Sequence, residues 1–434
     1  MNATIMFGQV LDLAAKQINP FGPAFGGDIV LVRDLFGRIR VLLPRVKEDY
    51  DADKLNGLAA ALSGSLDRYA FPPEEILLFA PDLLDGDRLF SSPDRHLLTE
   101  ENGLRLWLLD RQLIGQDWTR GPLHRETRNH RVTFFGIKGG VGRSTALIIW
   151  AWRLAKQGQD VLVVDLDLES PGLSSTLLPP EFLPDYGVVD WFVEDAVGQA
   201  EVVERSLLAE SPLSKDLAGR IQVLPAYGRD TGDYLPKLAR CYLEPAGAGA
   251  AWGERLQRLV ESVERRVLPQ VTFLDSRAGL HDIAAVTVTR MDADAFLFAV
   301  DSAQTWIAYS FLFSHWRQHP QLTEFRRRLQ IAAGMVPETQ REEHLRRFTE
   351  HAWDLFREHL YDEAAADSPD TAYSFDLDSE EAPHYPLPVF WNRALQEFDP
   401  CRSPTGLDEQ IAEAALGRFM TEAEHMVFTQ EAST

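Results

Sequence analysis

The sequence predicts an α/β chain: a doubly wound, mainly parallel sheet at its centre, an α+β domain before it and a helical extension after it. Three observations carry this. From residue 132 onward, short apolar runs (132–135, 161–164, 221–224, 271–274, 295–300 and 331–336) alternate with helical patterns. Strands covered on both faces read as continuous apolar runs, and their alternation with helices gives a parallel sheet. A glycine-rich turn joins the first run to a helix, and aspartates stand where the runs at 161–164 and 271–274 end.

Composition bounds the rest. The 434 residues suit two or three domains, and 45% hydrophobic with 25% charged residues is ordinary for a globular protein. A formal net charge of −23 opposes DNA, RNA and anionic lipid on average. Two distant cysteines, Cys241 and Cys401, exclude a disulfide framework and argue against a cysteine-ligated metal within one chain. No basic n-region with an apolar run, and no apolar stretch of membrane-spanning length, is visible, so the expected setting is cytoplasmic.

Taken in order, residues 1–128 open with an amphipathic pattern (Ile5, Met6, Val10, Leu11, Ala14, Ile18). A hairpin pairs 28–33 with 38–43 about Phe36-Gly37; a helix over 52–69 and strands at 76–79 and 105–109 complete an α+β domain. Nothing there has catalytic spacing, so it reads as a partner-binding or regulatory module. A polar, basic linker at 119–131, containing Pro122, leads into a core at 129–340. The extension at 341–434 contains an acidic loop, 362–381, with eight carboxylates and no Lys or Arg, which reads as a solvated segment. A Pro- and aromatic-rich stretch comes next, at 383–392. A final helix at 407–428 puts Ile411, Ala415, Phe419, Ala423 and Met426 on one face and Glu413, Glu422 and Glu424 on the other. A membrane-surface helix would carry Lys and Arg there, so packing onto the core is expected.

The chemistry concentrates at Lys138-Gly-Gly-Val-Gly-Arg-Ser-Thr145, between the strand at 132–135 and the next helix. Gly139, Gly140 and Gly142 let the backbone curl so that N–H groups converge on phosphate oxygens. The positive end of the helix faces the same anion. Ser144 stands where a loop hydroxyl ligates Mg2+, and Thr145 where one donates to an α-phosphate. The candidate nucleotide-binding residues are therefore Gly139, Gly140, Val141, Gly142, Arg143, Ser144 and Thr145.

This loop resembles the deviant Walker A loop of the ParA/MinD ATPases (KGGVGK, then Ser or Thr, then Thr), a family that includes nitrogenase reductases and arsenite-pump ATPases. The resemblance covers 132–336 and leaves 1–128 unexplained. It implies a P-loop NTPase fold, ATP and Mg2+ as cofactors, and a nucleotide-sandwich homodimer in which Lys138 reaches the partner's phosphates. Asp165-Leu-Asp167 is similar to the family's DxD switch, which implies that Asp167 orients the attacking water and Asp165 supports the metal shell. Val271-Thr-Phe-Leu-Asp275 reads as a Walker B strand, with Asp275 suited to hold Mg2+ through water. Lys138 and Asp167 are thus the candidate catalytic residues, and Ser144, Asp165 and Asp275 the metal set. Glu169 has no such support and reads as exposed.

The pattern departs from the family in two places. Arg143 replaces the lysine that contacts the β- and γ-phosphates; it keeps the charge but is bulkier and planar, which puts hydrolysis rather than binding in question. Ser276-Arg277-Ala278 replaces the prolines expected before Gly279. The leading expectation is an ATP-driven dimeric switch of slow turnover that regulates or positions an unidentified protein partner. The alternative is a nucleotide sensor with little or no hydrolysis. A bacterial tyrosine kinase fits less well, because 420–434 has no tyrosine, and so does a DNA-partition ATPase, because the chain is acidic. The arginines at 326, 327, 328, 341, 346 and 347 could touch DNA, but glutamates interleave them and a salt-bridged face is the better reading. GTP is disfavoured, since Thr289-Arg-Met-Asp292 precedes its strand instead of following one. The stretch 387–392 is a candidate base-side wall, with core packing preferred for Phe390 and Trp391.

Overall fold

The computed structural model describes residues 4–25, 27–92, 94–101, 103–112, 116–243, 251–317, 319, 321–363, 372–396, 398–402 and 407–429. The chain divides into two compact units, Met1–Thr119 and Arg120–Thr434.

Among the described residues, the first unit is built on five strands: β1 (Gly27–Arg33), β2 (Ile39–Leu43), β3 (Leu77–Phe79), β4 (His96–Glu101) and β5 (Leu104–Asp110). Their order is β3-β2-β1-β5-β4. β1 and β2 form the expected antiparallel hairpin. Gly37 takes φ +81° in its turn, and Asp34 Oδ1 accepts the Phe36 and Arg38 N–H groups at 2.9 Å. β1 runs parallel to β5. Successive residues of β1 serve opposite faces. Ile29 and Leu31 pack with Val10, Ala14 and Ile18 of the helix Val10–Ile18 and with Leu55, Leu58 and Leu62 of the helix Ala52–Leu66. Val30 joins Leu42, Ala80 and Leu109 beneath residues 80–90. Strand β4 escaped the sequence reading because His96-Leu-Leu-Thr-Glu-Glu101 is a polar edge strand without alternation.

Among its described residues the second unit carries eight strands: β6 (His130–Gly136), β7 (Val161–Asp165), β8 (Ala209–Glu210), β9 (Ile221–Leu224), β10 (Val271–Asp275), β11 (Asp294–Ala299), β12 (Leu329–Val336) and β13 (Leu387–Phe390). The order is β13-β12-β11-β6-β10-β7-β9-β8, parallel throughout except where β8 meets β9. The expected doubly wound, mainly parallel α/β fold is what the chain forms. One face packs Val132, Phe134, Val163, Phe273 and Phe296 beneath the helices Arg143–Lys156 and Glu409–Thr429. Trp150 sits at its centre, with ring centroids 4.7 Å from Phe273 and 6.0 Å from Phe419. The other face packs Leu162, Val164 and Leu274 beneath Val188–Ala196 and Trp252–Val267. Farther along, Phe135 meets Tyr309 of the helix Ala303–Trp316, whose Phe313 meets Phe356 of the helix Arg341–His359.

Two segments differ from their sequence reading. The linker 119–131 is not a loose connection. Leu123 N donates to Arg290 O (2.8 Å) and Glu126 N to Glu261 Oε1 (2.9 Å). Arg131 donates two bonds to Glu264, at 2.8 and 2.6 Å, where both side chains are buried. Glu261 and Glu264 of Trp252–Val267 face inward and need these partners. The stretch 383–392 supplies β13, an edge strand hidden by Pro386 and Pro388, since proline is tolerated only where no ladder donor is required. The final helix packs on the core as expected, burying Ala415, Phe419 and Ala423. Of the acidic stretch 362–381, residues 364–371 lie outside the described residues. Asp362 is held by Arg326 through bonds of 2.7 and 2.9 Å. Among the described residues, no helix is long and apolar enough to cross a membrane.

Candidate functional site

β6 is first in the second unit and lies inside its sheet, between β10 and β11, so later strands are laid down on both sides of it. In such sheets the crevice at the carboxyl ends of the strands, where the order reverses, is where ligands bind. The sequence-predicted residues gather at that edge. β6 ends at Gly136, the loop turns through Gly140 (φ +73°) and Gly142 (φ +86°), and the helix Arg143–Lys156 begins. Both glycines adopt the left-handed conformation that side chains resist. The loop is also walled: a Cβ on Gly334 would stand 2.2 Å from Val141 O, and one on Gly142 would stand 3.4 Å from Val389 Cγ1 and 3.7 Å from Met335 Sδ. The ends of β12 and β13 thus flank the loop.

Asp275 ends β10 in register with Asp165 of β7, so the two carboxyl groups are neighbours. Ser144 Oγ donates to Asp275 Oδ2 at 2.9 Å. Arg143 lies along the same group, with Nε 2.8 Å from Asp275 Oδ1 and Nη2 3.4 Å from Asp167 Oδ2. Its side chain is only 9% exposed, and Nη1 is buried with no hydrogen-bond partner among the described residues. Asp275 is itself buried, which raises its pKa, while the Arg143 charge and the Ser144 bond pull the other way without cancelling the rise. Burial likewise raises Asp167, against the pull of Arg143.

Asp165 is turned elsewhere. Its Oδ2 accepts from Ser174 N (2.8 Å) and Oγ (2.6 Å), and Oδ1 from Asp167 N (3.2 Å). Burial, reinforced by the neighbouring Asp275 carboxylate, pushes it up to about 7. The group therefore shapes the turn at 167–174. Lys138 Nζ donates to Gln304 Oε1 at the start of the helix Ala303–Trp316. Gly139 is exposed, Val141 is buried, and Thr145 is half-buried in the first turn of the loop's helix. Glu169, expected to be exposed, is only partly so. It pairs with Arg277 Nη1 at 2.7 Å and accepts a hydrogen bond from Tyr242 OH.

The secondary candidates resolve in the same geometry. Arg346 pairs with Glu343 and Glu350, Arg347 with Asp301, Arg326 with Asp362 and Arg328 with Asp292, so these four arginines are ion-paired as expected. Asp292 precedes β11 and lies at the opposite sheet edge from the loop. Phe390 and Trp391 are half-buried instead of in the core, and Arg341 lies 4.5 Å over the Phe390 ring. Both cysteines are free, and burial pushes Cys241 up to about 12. Sequence reasoning missed Ser174, Gln304, Arg277 as a partner for Glu169, and Gly334. Gln304 lies 166 residues from Lys138, and no local pattern announces such a pairing.

No protein-family model matches the chain, and no curated protein matches it. Solved structures do. Cobyrinic acid a,c-diamide synthase from Mycobacterium smegmatis, with a bound ATP analog and magnesium, is 17% identical over 53% of this chain and 81% of its own, with a TM-score of 0.34. A Cyanothece McdA–ATP complex is 14% identical over 52% and 80%, with a TM-score of 0.36. The pNOB8 ParA structure bound to nonspecific DNA is 15% identical over 70% and 99%, with a TM-score of 0.43. At such low identity and overlap, the functional reading rests on this chain's own geometry.

Proposed function

We propose that the chain is an Mg·ATP-dependent switch of ParA/MinD type. The observation that carries this is the Ser144–Asp275 bond of 2.9 Å beside a loop held open by left-handed Gly140 and Gly142. A hydroxyl and a carboxylate side by side at a helix N-terminus form a hard oxygen donor set, which suits Mg2+. Arg143 Nη1, buried and without a hydrogen-bond partner among the described residues, fits a phosphate oxygen. The residues present therefore fit the nucleotide and its metal.

In this reading the loop N–H groups of Gly139 to Ser144 hold the phosphates, and Thr145 donates from the first helical turn. Ser144 and Asp275 would hold the metal, which when bound would supply charge neutralisation for the phosphoryl group. Asp165 keeps the Asp167 turn in place and supports the metal shell from behind, while Asp167 orients water. Lys138 is parked on Gln304 in one subunit and serves the partner's phosphates in a homodimer closed over the nucleotide face. The unit Met1–Thr119 and the region 341–434 are the places for a protein partner. DNA is disfavoured by the net charge of −23 and by the ion-paired arginines.

A second reading, a sensor that binds without turnover, is favoured by one observation: Arg143 also engages Asp167, the group needed to position water. ATP turnover and oligomeric state, measured together with Mg2+ and a slowly hydrolysed ATP analogue, separate the two. A switch hydrolyses ATP and dimerises with the analogue, and Lys138→Ala loses both. Binding without turnover at high protein concentration supports the sensor. No binding at all removes both readings.

A further inference from the structure

The two loops that carry Asp167 and Asp275 are joined at their bases, where Leu166 N donates to Asp275 O at 3.1 Å. Two residues beyond each aspartate, they are joined again. Arg277 Nη1 lies 2.7 Å from Glu169 Oε1, and Tyr242 OH donates to the same oxygen. Tyr234 OH donates to Leu168 O at 2.5 Å, and the Tyr242 ring meets His281 edge-on with centroids 5.4 Å apart. Both loops are therefore fastened to one wall, residues 234–242, as well as to each other. Glu169 Oε2 is buried without a hydrogen-bond partner among the described residues, so the carboxylate depends on Arg277 for its charge compensation.

We propose that Glu169 and Arg277 are positioning residues: their ion pair sets the separation of Asp167 from Asp275, and with it the fit of the site to a terminal phosphate. The proposal rests on the nucleotide reading above. In that reading Arg143 holds a phosphate oxygen, and its Nη2 also lies 3.4 Å from Asp167 Oδ2, so the terminal phosphate of a triphosphate is the part that would meet Asp167. The clasp therefore tunes preference for a nucleoside triphosphate over a diphosphate and leaves affinity for the diphosphate largely alone. Arg277 stands where the resembling family carries proline, so this coupling belongs to the present chain.

The test is the affinity of the full chain for methylanthraniloyl-ATP and methylanthraniloyl-ADP with Mg2+, by fluorescence titration. Wild type, Glu169→Gln, Glu169→Asp, Arg277→Gln and the double variant Glu169→Gln/Arg277→Gln are compared. Each Gln variant is expected to lose about tenfold of the ATP-over-ADP preference, with ADP affinity within about twofold of wild type. The double variant is expected to be no worse than either single one, as two members of one interaction behave. Glu169→Asp, which keeps the charge, should retain most of the preference. Unchanged preference in both single variants, losses that multiply in the double, or a parallel loss of ADP affinity would each overturn the clasp. Failure of wild type to bind either probe would instead remove the nucleotide reading beneath it. Should Glu169→Gln not fold, Arg277→Gln, a partly exposed side chain, carries the same measurement.

Discussion

At the scale of single residues, the site is organised by buried charge. Asp167 and Asp275 share one guanidinium, and Asp165 is satisfied by Ser174 and a backbone N–H. Asp165 holds its proton in the folded chain up to about pH 7, whereas the unfolded chain releases it near the ordinary carboxylate value of 3.8. Between those two values the folded state binds more protons, so this group's contribution to stability is full at low pH and is lost as pH rises toward about 7. Asp165→Asn does not titrate, and its amide cannot reproduce every bond. The variant is expected to be shifted in absolute stability yet to lack this downward slope. Urea unfolding at about pH 5 and about pH 8 measures it; an unchanged slope would place the proton elsewhere.

At the scale of elements, the loop owes its shape to its neighbours as much as to its glycines. β12 passes so close that position 334 has no room for a side chain, the obstacle being the Val141 carbonyl of the loop itself. A backbone atom cannot rotate away. Gly334→Ala is therefore expected to cost about 1–3 kcal/mol, as overpacking does, and to weaken nucleotide binding. Thermal unfolding and ATP-analogue titration of the variant check both parts. The runs at 132–135, 161–164 and 271–274 were readable because each is a strand buried on both faces. The candidate residues at their ends were readable because strand, loop and helix are contiguous in the chain. β13, Ser174 and Gln304 were hidden because prolines mask the strand and the two partner bonds join separate elements. Glu169 was misjudged for a similar reason, since its partner Arg277 comes after a different strand.

At the scale of the whole molecule, the break between the compact units falls after Thr119, not at residue 128. Residues 120–128 belong to the second unit, since Glu126 N–H satisfies Glu261 and Thr127 Oγ1 donates to Glu264. A chain beginning at residue 120 should fold without the first unit. One beginning at residue 128 should be less stable by about 1–3 kcal/mol, because the buried carboxylates of Glu261 and Glu264 lose donors. Paired urea denaturation curves decide the matter, and equal midpoints would return the segment to the role of a linker.

The outer rims of the eight-stranded sheet limit how copies of this chain can gather. One rim is β8, two residues long, and the other is β13, four residues with Pro388 among them. A short rim interrupted by proline offers little template for another strand to zip onto. Extension of this sheet edge to edge, the route to fibres, therefore finds little template at either rim.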